Sequence, residues 1–122
     1  MTVQPVILSV HPEPGQANYI VNETETVTFE CSATGISAPT ITWTGNGIEP
    51  RDNRTTISNP ILIDYMRTTD NETVWKVTRT LAVANTVETD SGIYTCHATN
   101  NVGFDENTFA LAVQSKLHAH MR

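Results

Sequence analysis

An all-β domain is what this sequence predicts, on three observations. Val, Ile and Thr are plentiful, as strands prefer. Val27, Phe29, Cys31 and Ala33 alternate with Thr28, Glu30 and Ser32, the period of two expected of a strand with one buried face. No stretch reads as a helix, apart from a single turn before Asp90. The chain has 122 residues, one domain's worth and enough to bury a core. Its 39% apolar and 16% charged content is that of a globular domain and argues against disorder.

Val6 to Val10 forms a first edge strand, stopped by Pro12 and Pro14, which cannot donate to a ladder. Tyr19-Ile20-Val21 resumes it, and Asn22-Glu23 turns into the strand around Cys31. After a loop from Gly35 to Pro39, Ile41 and Trp43 face inward while Thr40, Thr42 and Thr44 face outward. Gly45-Asn46-Gly47 is a turn signal, and a short strand begins at Ile48. Residues 50–60 are polar and Pro-bounded, a surface loop with one brief strand pairing. Ile61-Leu-Ile63-Asp-Tyr65-Met then resumes the alternation of a strand, Thr69 to Glu72 turns, and Val74 to Val83 makes a long strand with Leu81 and Val83 buried. Tyr65 and Trp75 are expected to be partly buried, given their strand placement. The last two strands run from Gly92 to Thr99 and from about Thr108 to Val113, with Asn100 to Glu106 as the loop between them.

Five pieces in order carry a resemblance: Cys31-Ser-Ala-Thr-Gly35, Pro39-Thr-Ile-Thr-Trp43, Asp90-Ser-Gly-Ile-Tyr-Thr-Cys96, Ala98-Thr-Asn-Asn-Val-Gly103 and Leu111-x-Val113. Over about residues 5 to 114 the chain resembles the intermediate set of immunoglobulin domains. The resemblance implies a Greek-key β-sandwich with strands A, B, E and D in one sheet and A′, G, F, C and C′ in the other. It implies that Cys31 and Cys96 bond across the core, that Trp43 packs on the sulfurs, and that Tyr94 is the tyrosine corner. Gly92 suits the tight turn before that strand, and Asp90 is expected to pair with Arg51, Arg54 or Arg67 in an exposed contact of little energy. Closing a loop of about 65 residues, the disulfide would contribute roughly 4 kcal/mol in the chain-entropy model. Two positions depart from the pattern. Thr86 or Val87 stands at the turn where the family usually has an apolar residue four before the Asp, and Ser37 where many members have a first Pro.

Seven Lys and Arg against thirteen Asp and Glu leave a net charge of −6 with no basic stripe, which argues against nucleic acid or an anionic membrane as partner. Nothing spans a membrane, and Met1 to Pro5 is no export signal. The domain is expected to occupy residues 1–114 as a piece of a larger protein, with 115–122 a vector-derived or linker tail in which His118-x-His120 is incidental. No catalytic motif is present, no cofactor is implied, and no carboxylates cluster as a metal loop. Three sequons, at Asn22, Asn53 and Asn71, fall in predicted turns or loops, where N-glycans need them. With the cysteine pair they point to an extracellular or cell-surface protein. The function expected is protein recognition, either adhesion or ligand capture by a receptor ectodomain, with pairing to a second copy through an A′ to G or D edge compatible with it. The alternative is a structural module of an intracellular muscle filament protein, with reduced thiols and no glycans. Candidate partner contacts are Phe104, Asp105, His97 and Thr99, with Tyr65 and Trp75 as further aromatic anchors. His97 is expected to point outward and to be simply solvated.

Overall fold

The computed structural model describes residues 2–11, 19–45 and 54–115. Nine strands are found among them: β1 (Val3–His11), β2 (Tyr19–Asn22), β3 (Val27–Ile36), β4 (Thr40–Gly45), β5 (Thr55–Ile57), β6 (Ile61–Arg67), β7 (Thr73–Val83), β8 (Gly92–Thr99) and β9 (Phe104–Gln114). One sheet runs β1-β3-β7-β5, with β6 also paired to β7; the other runs β2-β9-β8-β4. All pairings are antiparallel except β2 with β9. This is the expected sandwich. Both β5 and β6 lie along β7, so they are two halves of one edge, broken where Ser58 to Pro60 leaves the ladder. The predicted strand at Ile48 and the candidates Arg51 and Asn53 lie outside the described residues, as do His118 and His120.

Alternation along β3, β4, β8 and β9 sends one residue in two to the middle, where two elements meet. Cys31 and Cys96 are bonded, with Cα atoms 6.5 Å apart and both fully buried. Trp43 lies opposite Cys96 across the β4 to β8 ladder, on the same face. Phe29 is the centre of the ring cluster. Its centroid is 5.1 Å from Phe109, 5.4 Å from Tyr94, 6.2 Å from Tyr19 and 6.3 Å from Trp43. Such contacts add to an area term already large for a ring with no exposed surface, and removing Phe29 would cost about 3 to 5 kcal/mol. Leu81 and Val83 are buried as expected.

A ring of polar contacts closes the seam around that centre. The Asn100 amide donates to the carbonyls of Val3 (2.8 Å), Ser37 (3.0 Å) and Ile36 (3.3 Å), while its oxygen accepts from the N–H groups of Val102 and Gly103. The turn is thereby closed within Asn100 to Gly103, so β9 begins at Phe104, four residues earlier than the composition suggested. Arg79 reaches from β7 to the Ile41 carbonyl of β4 at 2.7 Å and to the Ser58 carbonyl at 2.9 Å. Thr86, the departure from the apolar pattern, is fully buried, yet its hydroxyl donates to the Glu25 carbonyl at 2.8 Å. The polar atom is satisfied, so the slot tolerates it.

The tyrosine corner is present: Tyr94 donates its hydroxyl to the Asp90 carbonyl at 2.5 Å. Burial is the main reason its pKa is pushed up to about 12, with the nearby Asp90 charge adding to it. Gly45, opposite Tyr94, has φ +156°, and a Cβ there would lie 2.6 Å from the Tyr94 ring. Of the three arginines considered for Asp90, Arg54 is the partner, gripping the carboxylate with two nitrogens at 2.8 and 3.1 Å. Arg67 pairs instead with Asp64 at 3.2 Å.

Three expectations need correcting. The Asp90 pair is not exposed: the carboxylate side chain keeps only 8% of its surface, because the Glu88–Asp90 turn folds it under the sheet end. Ser32 does not face water, being 2% exposed and bonded to the Thr78 hydroxyl at 2.7 Å. Strand β6 has no buried face, since all seven residues are exposed, Tyr65 at 46% included. It lies at the sheet margin, where no strand of the opposite sheet covers it among the described residues. Trp75, one strand further in, is half-buried as expected.

Replacing Asn100 with Ala removes five hydrogen bonds and strands carbonyls of two strands; we expect a loss of about 2 to 3 kcal/mol by urea unfolding. Burial of Asp90 favours its neutral form, but hydrogen bonds from Arg54 and the Val87 N–H, with the guanidinium charge, outweigh that and hold its carboxyl below its usual value. A depressed folded pKa gives stability that is fully present above the unfolded value, about 4, and lost as the pH falls through the folded one. Unfolding free energy is therefore expected to decline on acidification from about pH 5, and Asp90→Asn to show a lower plateau at neutral pH and a shallower decline. Parallel pH profiles for the two proteins would exclude this role for Asp90.

Candidate functional site

The outer face of the β2-β9-β8-β4 sheet can be read row by row from its register. At the end near Gln114, Ile20 stands beside Ala112, and Ala110 beside Ile93. Ile20 and Ile93 are 60% and 57% exposed. The middle rows are small and polar, with Thr44 beside Thr95 and Thr95 beside Thr108. At the other end Thr42, His97 and Glu106 share a row, followed by Thr40, Thr99 and Phe104. The threonine-rich surface expected here is thus bounded at both ends by apolar side chains.

Two of the four candidate contacts come together. Phe104 is 56% exposed and His97 stacks on it, with ring centres 5.1 Å apart and planes 9° apart. His97 Nδ1 also lies 2.9 Å from Glu106 Oε2, so the imidazole is held on both sides and is not simply solvated. The other two are engaged within the domain, Asp105 by another strand and Thr99 by its own turn. Asp105 accepts the Ile7 N–H at 2.9 Å, tying β9 to β1, and Thr99 donates to the Gly103 carbonyl at 3.3 Å. Phe104 with His97 is therefore the anchor this end presents, positioned by Asn100, which closes the turn before it.

The second apolar surface is the β6 margin. Ile61, Leu62, Ile63 and Met66 are between 47% and 62% exposed, with Lys76 5.9 Å over the Tyr65 ring. Beneath the strand a cleft of about 240 Å³ opens between the sheets, lined by Ala38, Pro39, Ile41, Pro60, Leu62 and Val77 among others. Sequence reasoning placed this strand but missed its exposure. The signal available was its position: five large apolar residues in seven leave no polar face, so alternation could not orient it.

Two sequons lie on described turns. Asn71 is exposed at the tip of the β6 to β7 hairpin with φ +66°, in a turn held by the Thr68 hydroxyl, which accepts the N–H groups of Asp70 and Glu72. Asn22 is half-buried, and its side-chain oxygen accepts from Gln114 at 2.8 Å. Among the described residues no three His, Cys, Asp or Glu side chains group as a metal site, and no helix is long and apolar enough to cross a membrane.

Comparison with known proteins agrees with this architecture. The immunoglobulin-domain family profile matches residues 4–100. Neuroglian of Drosophila melanogaster is 38% identical over 94 residues, 77% of this chain and 6% of that protein. Human hemicentin-1 is 33% identical over 115 residues, 91% of this chain and 2% of that protein, and human ADAMTS-like protein 1 is 31% identical over 102 residues, 84% and 5%. The chain thus spans a small fraction of the length of the relatives it matches. Among solved structures, titin domain M7 superposes with a TM-score of 0.66 at 23% identity, covering 93% of this chain and 97% of that one. At that identity the likeness is one of fold.

Proposed function

This chain belongs to the immunoglobulin-domain family, and from that membership we propose that it is a non-enzymatic protein-recognition module of a larger cell-surface or secreted protein, serving adhesion or ligand capture. The observation that carries the reading is the sequon Asn71-Glu72-Thr73, whose Asn is exposed at a hairpin tip in a domain whose two cysteines are both committed to one disulfide. A glycan there would extend into solvent without displacing a core residue. An oxidised cystine belongs to the compartments in which such glycans are added. The reading is supported by the relatives, which are extracellular or cell-surface proteins. Glycans at Asn22 and Asn53 belong to the same proposal.

Recognition falls to the surfaces with exposed apolar anchors. Phe104 stacked on His97 is one, with a neighbouring floor of threonines that a flat partner face can approach closely. The net charge of −6 favours a neutral or basic partner over an acidic one.

Secretion of the domain from eukaryotic cells under a borrowed signal tests the proposal by intact mass. We expect at least one glycan mass to be lost on glycosidase treatment and a gain of two hydrogens on reduction, with unfolding free energy falling by roughly 4 kcal/mol once the disulfide is open. An unglycosylated chain with two free thiols would overturn the extracellular reading and favour an intracellular structural module.

A further inference from the structure

Strand β6 is a sheet edge whose outer side has no ladder partner among the described residues. Natural edges are usually blunted by Pro, Lys or short length, because an open apolar edge invites another strand. Here Ile61-Leu-Ile-Asp-Tyr-Met-Arg67 has seven residues, no Pro and no Lys. The opposite margin of the sheet, β1, contains Pro5 and two register shifts, so it is the poorer template.

What would lie against β6 is indicated by its charges. The chain as a whole is strongly acidic, so two copies repel over most of their surface. β6 is locally neutral, with one acid and one base. In a regular strand Asp64 and Arg67, three apart, would face opposite sides. The irregularity at Tyr65 changes this: Asp64 stands opposite Trp75 and Arg67 opposite Thr73, two apart on β7, so both project from one face. Within one copy the two pair with each other at 3.2 Å, and exchanging that partner for the other copy's makes the strand self-complementary. Run antiparallel to itself about a two-fold axis, β6 can set Asp64 of each copy opposite Arg67 of the other and Tyr65 opposite Met66. Each such isologous contact is made twice.

We propose that the β6 edge is a self-association site, through which a second copy of this chain pairs antiparallel and joins the two sheets, with reciprocal Asp64 to Arg67 ion pairs setting the register. Main-chain hydrogen bonds supply the general attraction, and Tyr65 and Met66 at the centre of the paired stretch the apolar area. Charge complementarity selects this register over the one that sets Asp64 against Asp64. The inference deepens the recognition reading by naming its partner.

Analytical ultracentrifugation of the enzymatically deglycosylated 122-residue chain over a wide concentration range tests it, independently of whether the natural protein is exported. The mass should rise with concentration from 13.4 kDa toward twice that value. Asp64→Arg and Arg67→Asp each set like charges opposite one another at both contacts and should each weaken self-association by at least about tenfold. An equimolar mixture of the two variants should recover it, because both reciprocal contacts are again of opposite sign. Both positions are exposed, so each variant should fold, as circular dichroism would verify. A wild-type chain that stays monomeric, a dimer indifferent to the two reversals, or a mixture that fails to recover association would each overturn the proposal.

Discussion

Everything in this domain depends on holding two twisted sheets face to face, and that is done where Cys31 bonds Cys96 beside the ring of Phe29. The bond joins strands that are 65 residues apart in sequence, so it acts mainly by limiting how far the unfolded chain can spread. The rings act differently. Phe29 from one sheet meets Trp43, Tyr94 and Phe109 from the other, so burying it aligns three strands at once. Trp43 accepts one cost in this arrangement, since its indole N–H is buried with no acceptor among the described residues.

Away from that centre the sheets are joined by polar side chains, each placed where a strand ends or a seam opens. Asn100, Asp105, Arg79 and Thr86 all bind main-chain groups of distant segments. Main-chain partners suit this purpose because they are present whatever side chain stands at the position, and because they would be costly to leave unpaired. The Arg54 and Asp90 pair completes one pole, under the turn that also receives the Tyr94 hydroxyl. These fastenings leave the outer face of the β2-β9-β8-β4 sheet and the outer side of β6 exposed. Surfaces with no part in folding are the ones available for partners.

The two apolar surfaces differ in kind. The Phe104 and His97 stack is a compact projection at the end of a flat, threonine-lined face, suited to insertion in a partner's recess. The β6 margin presents main-chain donors and acceptors along its length, suited to another strand. Asn71 lies at the tip of the same hairpin, so a sugar attached there would stand close to that margin.

Much of this was legible in the chain alone. Alternation oriented β3, β4 and β8, because a strand with one wet face must alternate, and the spacing of Cys31, Trp43, Tyr94 and Cys96 identified the sandwich. The sequence by itself therefore determined the fold and the disulfide. It could not determine which arginine reaches Asp90, since Arg54 and Asp90 meet only when two distant turns close on each other. Nor could it show that Asn100 ends its loop early, because the three carbonyls it binds come from β1 and the end of β3. The exposure of β6 was beyond it for a simpler reason. Hydrophobic pattern says which residues prefer burial, whereas only the stacking of one sheet on another decides which strand is left at the margin with nothing to cover it.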